Sequence, residues 1–228
     1  MSDTVGDVAA RLRFDQQKAR VQVQVDPAVY AGYVGAYRFV DDGTYYFVET
    51  RDGRLFARIL GQTESEIFPE SQTRFFMKGA PVQITFLGDG RGAVNSLAYQ
   101  ANGADVRGVR VEPAEAAAAE ADLERRRREK IPHPQSEEVL RRIIEAHQRG
   151  APSYAAMTPV LASALRQQRQ TLQSTLQIAG KLRTISFRGV GQSGLDVYDT
   201  VFERSWLEWA IGVGSNGWLI AFTMRPSL

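Results

Sequence analysis

Between Tyr33 and Val111 the chain is punctuated by turn dipeptides at short, regular intervals. Asp41-Asp42-Gly43, Arg51-Asp52-Gly53, Gly88-Asp89-Gly90 and Asn102-Gly103 recur between short runs of alternating residues. Asp, Asn and Gly accept positive φ at low cost, so these sites predict tight reversals. Between them Leu55, Ala57 and Ile59 oppose Phe56, Arg58 and Leu60. Val82, Ile84 and Phe86 oppose Gln83 and Thr85. Period two with one apolar face is the signature of half-buried antiparallel strands. About eight such segments fit the span, and closure into a barrel is favoured because it removes exposed edges.

Upstream, residues 1–25 read as a lead-in. Val8, Leu12 and Phe14 hint at one amphipathic turn, and Val21, Val23 and Val25 alternate before Asp26-Pro27 opens the barrel region, 26–112. Downstream, residues 113–135 change character. Ala114 to Lys130 is alanine-rich, then acidic, then basic, with Asp122/Arg126 and Glu124/Arg128 at i,i+4 spacing and Pro132 and Pro134 as stops. This predicts a helical linker, semi-rigid and solvated.

The last block, 136–228, is expected to hold two helices and four strands. Ser136 is placed as a hydroxyl cap before the stripe Val139, Leu140, Ile143, Ile144 and His147, with Gly150 beyond the end. Thr158-Pro159 opens a second helix whose stripe is Leu161, Leu165, Leu172, Leu176 and Ala179, stopped by Gly180. Strands follow at about 182–190, 195–204, 206–213 and 218–225. Helices followed by a meander make an α+β unit.

The 228 residues suffice for two small cores, and the net charge of +2 offers no basic face for nucleic acid. Cysteine is absent, which excludes disulfides and thiolate chemistry. No run approaches the length of a membrane span, and residues 1–20 lack the apolar core of a signal peptide. That implies a cytoplasmic setting by default, or a periplasmic one if the chain is a piece of an exported protein. None of the thirteen serines begins Ser-x-x-Lys, and Gly191-Gln192-Ser193-Gly194 lacks the nucleophile-elbow spacing. His133 and His147 are the two histidines and neither accompanies a nucleophile. No metal-ligand cluster or phosphate loop is visible, so no cofactor is expected.

The acidic residues Asp196, Asp199, Glu203 and Glu208 lie on the C-terminal strands, where paired carboxylates could do acid–base work and surface placement is the plainer reading. Leu207, Trp209, Ile211 and Val213 form one core face. The preceding strand looks apolar on both faces, with Leu195, Val197 and Val201 opposite Tyr198 and Phe202. A doubly apolar strand implies either a second contact, with the barrel, a dimer mate or a small hydrophobic ligand, or plain extra core. Tyr198, Asp199, Phe202, Trp209 and His147 are the candidate binding residues.

Several spaced motifs then agree with one another: Asp26-Pro27, Tyr33-Val34-Gly35-x-Tyr37, Phe68-Pro69-Glu70-Ser71-x-Thr73-Arg74-Phe75-Phe76, Gln100-x-Asn102-Gly103 and Gly108-x-Arg110. Residues 26–112 thereby resemble the domain of unknown function appended C-terminally to β-lactamase-like and penicillin-binding-protein-like serine hydrolases. The resemblance implies an eight-stranded lipocalin-like barrel that packs on a catalytic domain and can shape access to its site. Residues 137–228, with Gly150-Ala151-Pro152-x-Tyr154 and Val190-x-x-x-Gly194-x-Asp196-Val197-Tyr198, resemble a second domain often found beyond the first, similar in element order to the cystatin-like or nuclear-transport-factor-like class. Residues 1–25 look like the tail that follows a hydrolase domain. No catalytic residue of those hydrolases has a counterpart here. The expectation is a non-catalytic accessory module with a serine hydrolase domain as partner, in cis or in trans, or a homodimer; the alternative is a stand-alone small-molecule-binding protein or weak enzyme that uses the C-terminal sheet pocket.

Overall fold

The computed structural model of the chain describes residues 20–88, 93–101 and 104–226. The amphipathic turn expected around Val8, Leu12 and Phe14 and the turns at Asp89-Gly90 and Asn102-Gly103 lie outside the described residues.

Eight strands form a closed antiparallel barrel in sequence order. They are β1 (Gly35–Phe39), β2 (Tyr45–Arg51), β3 (Arg54–Ile59), β4 (Ser65–Pro69), β5 (Arg74–Met77), β6 (Val82–Gly88), β7 (Val94–Ala101) and β8 (Ala104–Val111). At the β2–β3 turn Asp52 and Gly53 have φ of 52° and 68°, the two consecutive positive values a tight hairpin needs. Inward positions are large and aromatic: Tyr37, Tyr46, Phe75 and Phe86 are buried and fill the interior. A 3₁₀ turn, Pro27–Gly32, plugs one end, with the Asp26 carboxylate accepting from the Ala28 N–H at 2.9 Å. Tyr33 stacks on Phe86 there, with ring centroids 4.3 Å apart.

The helix α1 (Pro113–Glu129) follows β8 directly. It is the helix expected of the linker, exposed along most of its length and docked at both ends. Ala116 is buried against Ala36 and Phe47 of the barrel wall, and Glu115 accepts from the Tyr45 hydroxyl at 3.0 Å. At the other end Arg126 pairs with Asp196 at 2.7 Å. The expected i,i+4 pairs are replaced by i,i+3 pairs: Asp122 takes Arg125 at 2.6 Å, as Arg126 is drawn to Asp196, and Glu124 takes Arg127 at 2.5 Å, as Arg128 pairs with Glu129. The arginine run is thus neutralised by its neighbours. Lys130, left-handed with φ 51°, ends the helix two residues before Pro132.

Beyond it lie α2 (Ser136–Gln148), α3 (Pro159–Gln167), α4 (Arg169–Ala179) and the antiparallel sheet β9 (Leu182–Val190), β10 (Asp196–Phe202), β11 (Trp206–Val213) and β12 (Leu219–Pro226), ordered β12-β11-β10-β9. The helices cover one face of the sheet, and Leu140, Ile144, Leu176, Tyr198, Trp209 and Ile211 are the centre of that core. Three helices stand where two were expected. The second breaks at Gln168, in a polar run from Arg166 to Gln170 that is exposed throughout and so has no buried side chain to hold it straight. Ser136 is also not a cap. Gln135 occupies that position, and the Ser136 hydroxyl instead turns inward, 2.8 Å from the His133 carbonyl and 2.6 Å from the Tyr198 hydroxyl.

Candidate functional site

Strand β10 alternates strictly. Asp196, Tyr198, Thr200 and Phe202 face the helices and are buried, while Val197, Asp199 and Val201 face away and are half-buried. Four of the five candidate residues therefore belong to the helix-side core. Tyr198 and Phe202 pack among α2, α4 and β11, and Trp209 is 0% exposed. The Trp209 indole N–H donates to the Thr200 hydroxyl at 2.7 Å, and that hydroxyl donates to the Leu207 carbonyl at 3.0 Å. His147 is 1% exposed. Its Nδ1 lies 2.8 Å from the Ile143 carbonyl and, facing an acceptor, carries a proton. Burial lowers the His147 pKa, the Ile143 carbonyl opposes this, and Arg169 adds to the lowering. Burial likewise raises the Tyr198 hydroxyl.

Asp199 alone of the five is on the open face, and it is part of a charged row. It pairs across the sheet with Glu208 of β11, which pairs with Arg225 of β12. Arg188 of β9 spans both carboxylates, 3.4 Å from Asp199 Oδ2 and 2.7 Å from Glu208 Oε2. Arg225 Nε donates to Glu208 Oε1 at 2.7 Å. Asp199 Oδ1 is buried and has no hydrogen-bond partner among the described residues. Beside this row, opposite Val201, the Trp206 side chain is 64% exposed. The face combines one exposed aromatic side chain with a paired row of charges. The signal for Trp206 was present in the alternation: Trp206 and Glu208 alternate with the inward Leu207 and Trp209. It was hidden because the inward aromatics looked like the surplus.

Asp196 is placed inward, in the polar junction with Arg126 and the His133 N–H, and Glu203 sits at the β10–β11 turn accepting from the Lys181 N–H at 3.1 Å. The expected acidic group thus separates into three places. A shallow groove of about 450 Å³ runs along the outside of β6 to β8, lined by Leu87, Ser96, Ala98, Asp105 and Arg107 among others. Among the described residues no cluster of His, Cys, Asp and Glu could hold a metal ion. Among the same residues no helix is long and apolar enough to cross a membrane.

Residues 19–115, which span the barrel, match the family model described as "Domain of unknown function (DUF3471)". The barrel is a DUF3471 domain. This domain sits at the C-terminus of penicillin-binding-protein-like and β-lactamase-like proteins and is a non-catalytic part of them. Over 86 residues the chain is 38% identical to "Penicillin-binding protein 4*" of Bacillus subtilis (strain 168), a similarity covering 38% of this chain and 19% of that protein. The chain thus matches about a fifth of that relative's length. No solved structure matches the chain. Two of the motif residues singled out in the sequence have structural roles here. Arg110 closes the plugged end through carbonyl contacts, and at Gly35, φ +144°, a Cβ would lie 2.6 Å from the Arg110 guanidinium.

Proposed function

We propose that this chain is a non-catalytic accessory module that binds a serine hydrolase domain of the penicillin-binding-protein-like class, in cis or in trans, and modulates access to its site. The observation that carries the reading is the DUF3471 barrel in a chain where no serine begins the Ser-x-x-Lys motif. The open sheet face around Asp199 and Trp206 is the contact surface in this reading. Tyr198, Phe202, Trp209 and His147 support it from behind as core. The compartment is then that of the hydrolase served.

The test mixes the chain with such a hydrolase from the same genome and measures complex formation by light scattering and kcat/KM on a chromogenic substrate. A complex, or a several-fold kinetic change, supports the reading. Neither, at tens of micromolar, overturns it. The exposed Trp206 favours one second reading, a homodimer through the same face. Light scattering on the chain alone distinguishes the two, since a monomer at all concentrations removes the dimer.

A further inference from the structure

We infer that the DUF3471 barrel and the C-terminal helix–sheet unit form one rigid body, and that the Arg126–Asp196 ion pair is the latch that fixes their relative orientation. The helix α1 connects the two units without a glycine or proline between its second residue and Lys130. Its 17 residues make a strut of about 25 Å. A strut transmits orientation only if both ends are held. The barrel end is held by buried Ala116 and by the Arg38–Glu115 and Arg58–Glu120 pairs, at 3.2 and 2.5 Å.

The sheet end is held by Asp196, whose side chain is almost wholly buried. One of its oxygens takes the Arg126 guanidinium and the other accepts from the His133 N–H, both at 2.7 Å. One carboxylate thus grips the end of the helix and the connector after it. Arg127 adds a bond from Nε to the Gly191 carbonyl at 3.2 Å, and Leu123 packs at Gly194.

A strut alone still permits rotation about its axis. Two further contacts remove that freedom, both at the barrel rim opposite the 3₁₀ plug. The β1–β2 turn meets the β11–β12 turn, where the Ser215 N–H donates to the Asp42 carbonyl at 3.1 Å and the Asn216 side-chain amide donates to the Asp41 carbonyl. The β3–β4 turn meets the β9–β10 turn, where a Cβ on Gly61 would lie 2.8 Å from the Ser193 carbonyl oxygen. Gly214 approaches the Asp42 carbonyl so closely that no side chain fits between. Backbone against backbone at two turns, plus the strut, gives three separate attachments, which fix a rigid orientation. The barrel wall and the open sheet face therefore present one composite surface, whatever partner uses it.

The absence of native cysteine allows a direct test on the full chain. Spin labels at Gln72→Cys on the barrel and Gln170→Cys on α4, both exposed, report the distance between units by pulsed electron resonance. The expected result is one narrow distance peak that broadens at least two-fold in Asp196→Ala, with circular dichroism unchanged. A broad or multiple distribution in the parent overturns the rigid body. An Asp196→Ala distribution as narrow as the parent's overturns the latch. Should Asp196→Ala fail to fold, Arg126→Ala, at the partly exposed end of the pair, is read in the same way. Scanning calorimetry of the parent supplies an independent arm: one transition is expected, and two resolved transitions overturn the rigid body.

Discussion

Arg110 donates to four acceptors at the plugged end of the barrel: the carbonyls of Val94, Val34 and Gly32 and the Tyr37 hydroxyl, at 2.8, 2.6, 2.5 and 2.7 Å. Its guanidinium also lies 5.0 Å from the Tyr37 ring centroid. Replacing it with methionine keeps the apolar stem and strands those acceptors, so Arg110→Met should cost about 3 kcal/mol, read as a lower urea midpoint. Burial raises the Tyr37 hydroxyl beside it to about 12, with Arg110 opposing. His147 gives a second residue-scale expectation. Its folded pKa is lowered below 6.5 by burial, so the unfolded chain binds the proton more readily. The His147 contribution is complete above pH 6.5 and is lost as pH falls from there to the folded-state value. His133, lowered by burial and by Arg126, acts in the same direction. The urea midpoint should fall on acidification through this window, and His147→Leu should flatten part of that fall while leaving the His133 part.

At the level of elements, α1 ends on a lysine in a conformation that favours glycine. Lys130→Gly should stabilise the chain by about 1 kcal/mol, seen as a higher melting temperature. The β10–β11 pair depends on a hydroxyl instead. Thr200→Val strands the Trp209 indole N–H inside the core, a loss of about 2 kcal/mol, whereas Trp209→Phe with Thr200→Val should recover part of it. These elements were legible in the residues to differing degrees. Hairpin turns such as Asp52-Gly53 declare themselves, because few residues accept positive φ, and strand limits follow from them. The face of β10 that is covered did not declare itself. Period two separates Tyr198 from Val197 but does not say which looks at the helices. The break at Gln168 was invisible for a related reason: Leu161, Leu165, Leu172 and Leu176 stay in phase across it, so the apolar stripe reads as one helix. Ser136 resembled a cap because its nearby partners, His133 and Tyr198, are set by tertiary packing.

For the whole molecule, the decisive contact is between segments the sequence keeps apart. Asp196 and Arg126 are 70 residues from each other, and neither carries a local sign of its partner. A helix with a low apolar content and balanced charge looks like a spacer until both its ends are seen docked. The open sheet face was only half legible: Asp199 was singled out, and Trp206 was not. Trp206→Ser removes an exposed side chain, so stability should change by less than about 0.5 kcal/mol, while association with the proposed hydrolase partner should weaken measurably by titration calorimetry. Equal affinity would remove that face from the contact.

The pairing of β1 with β8 joins Ala36 to Val111, the first and last strands of the barrel. Closure must await the final strand, so during synthesis the barrel stays unsealed until residue 111 has left the ribosome. Such long-range pairing slows folding, because loop entropy is lost before contacts return it. In the C-terminal meander each strand pairs with the strand next to it in sequence. Refolding should therefore be limited by barrel closure, and α1, which needs the finished wall of β1 and β2 to dock, should acquire its protection from hydrogen exchange only after that step.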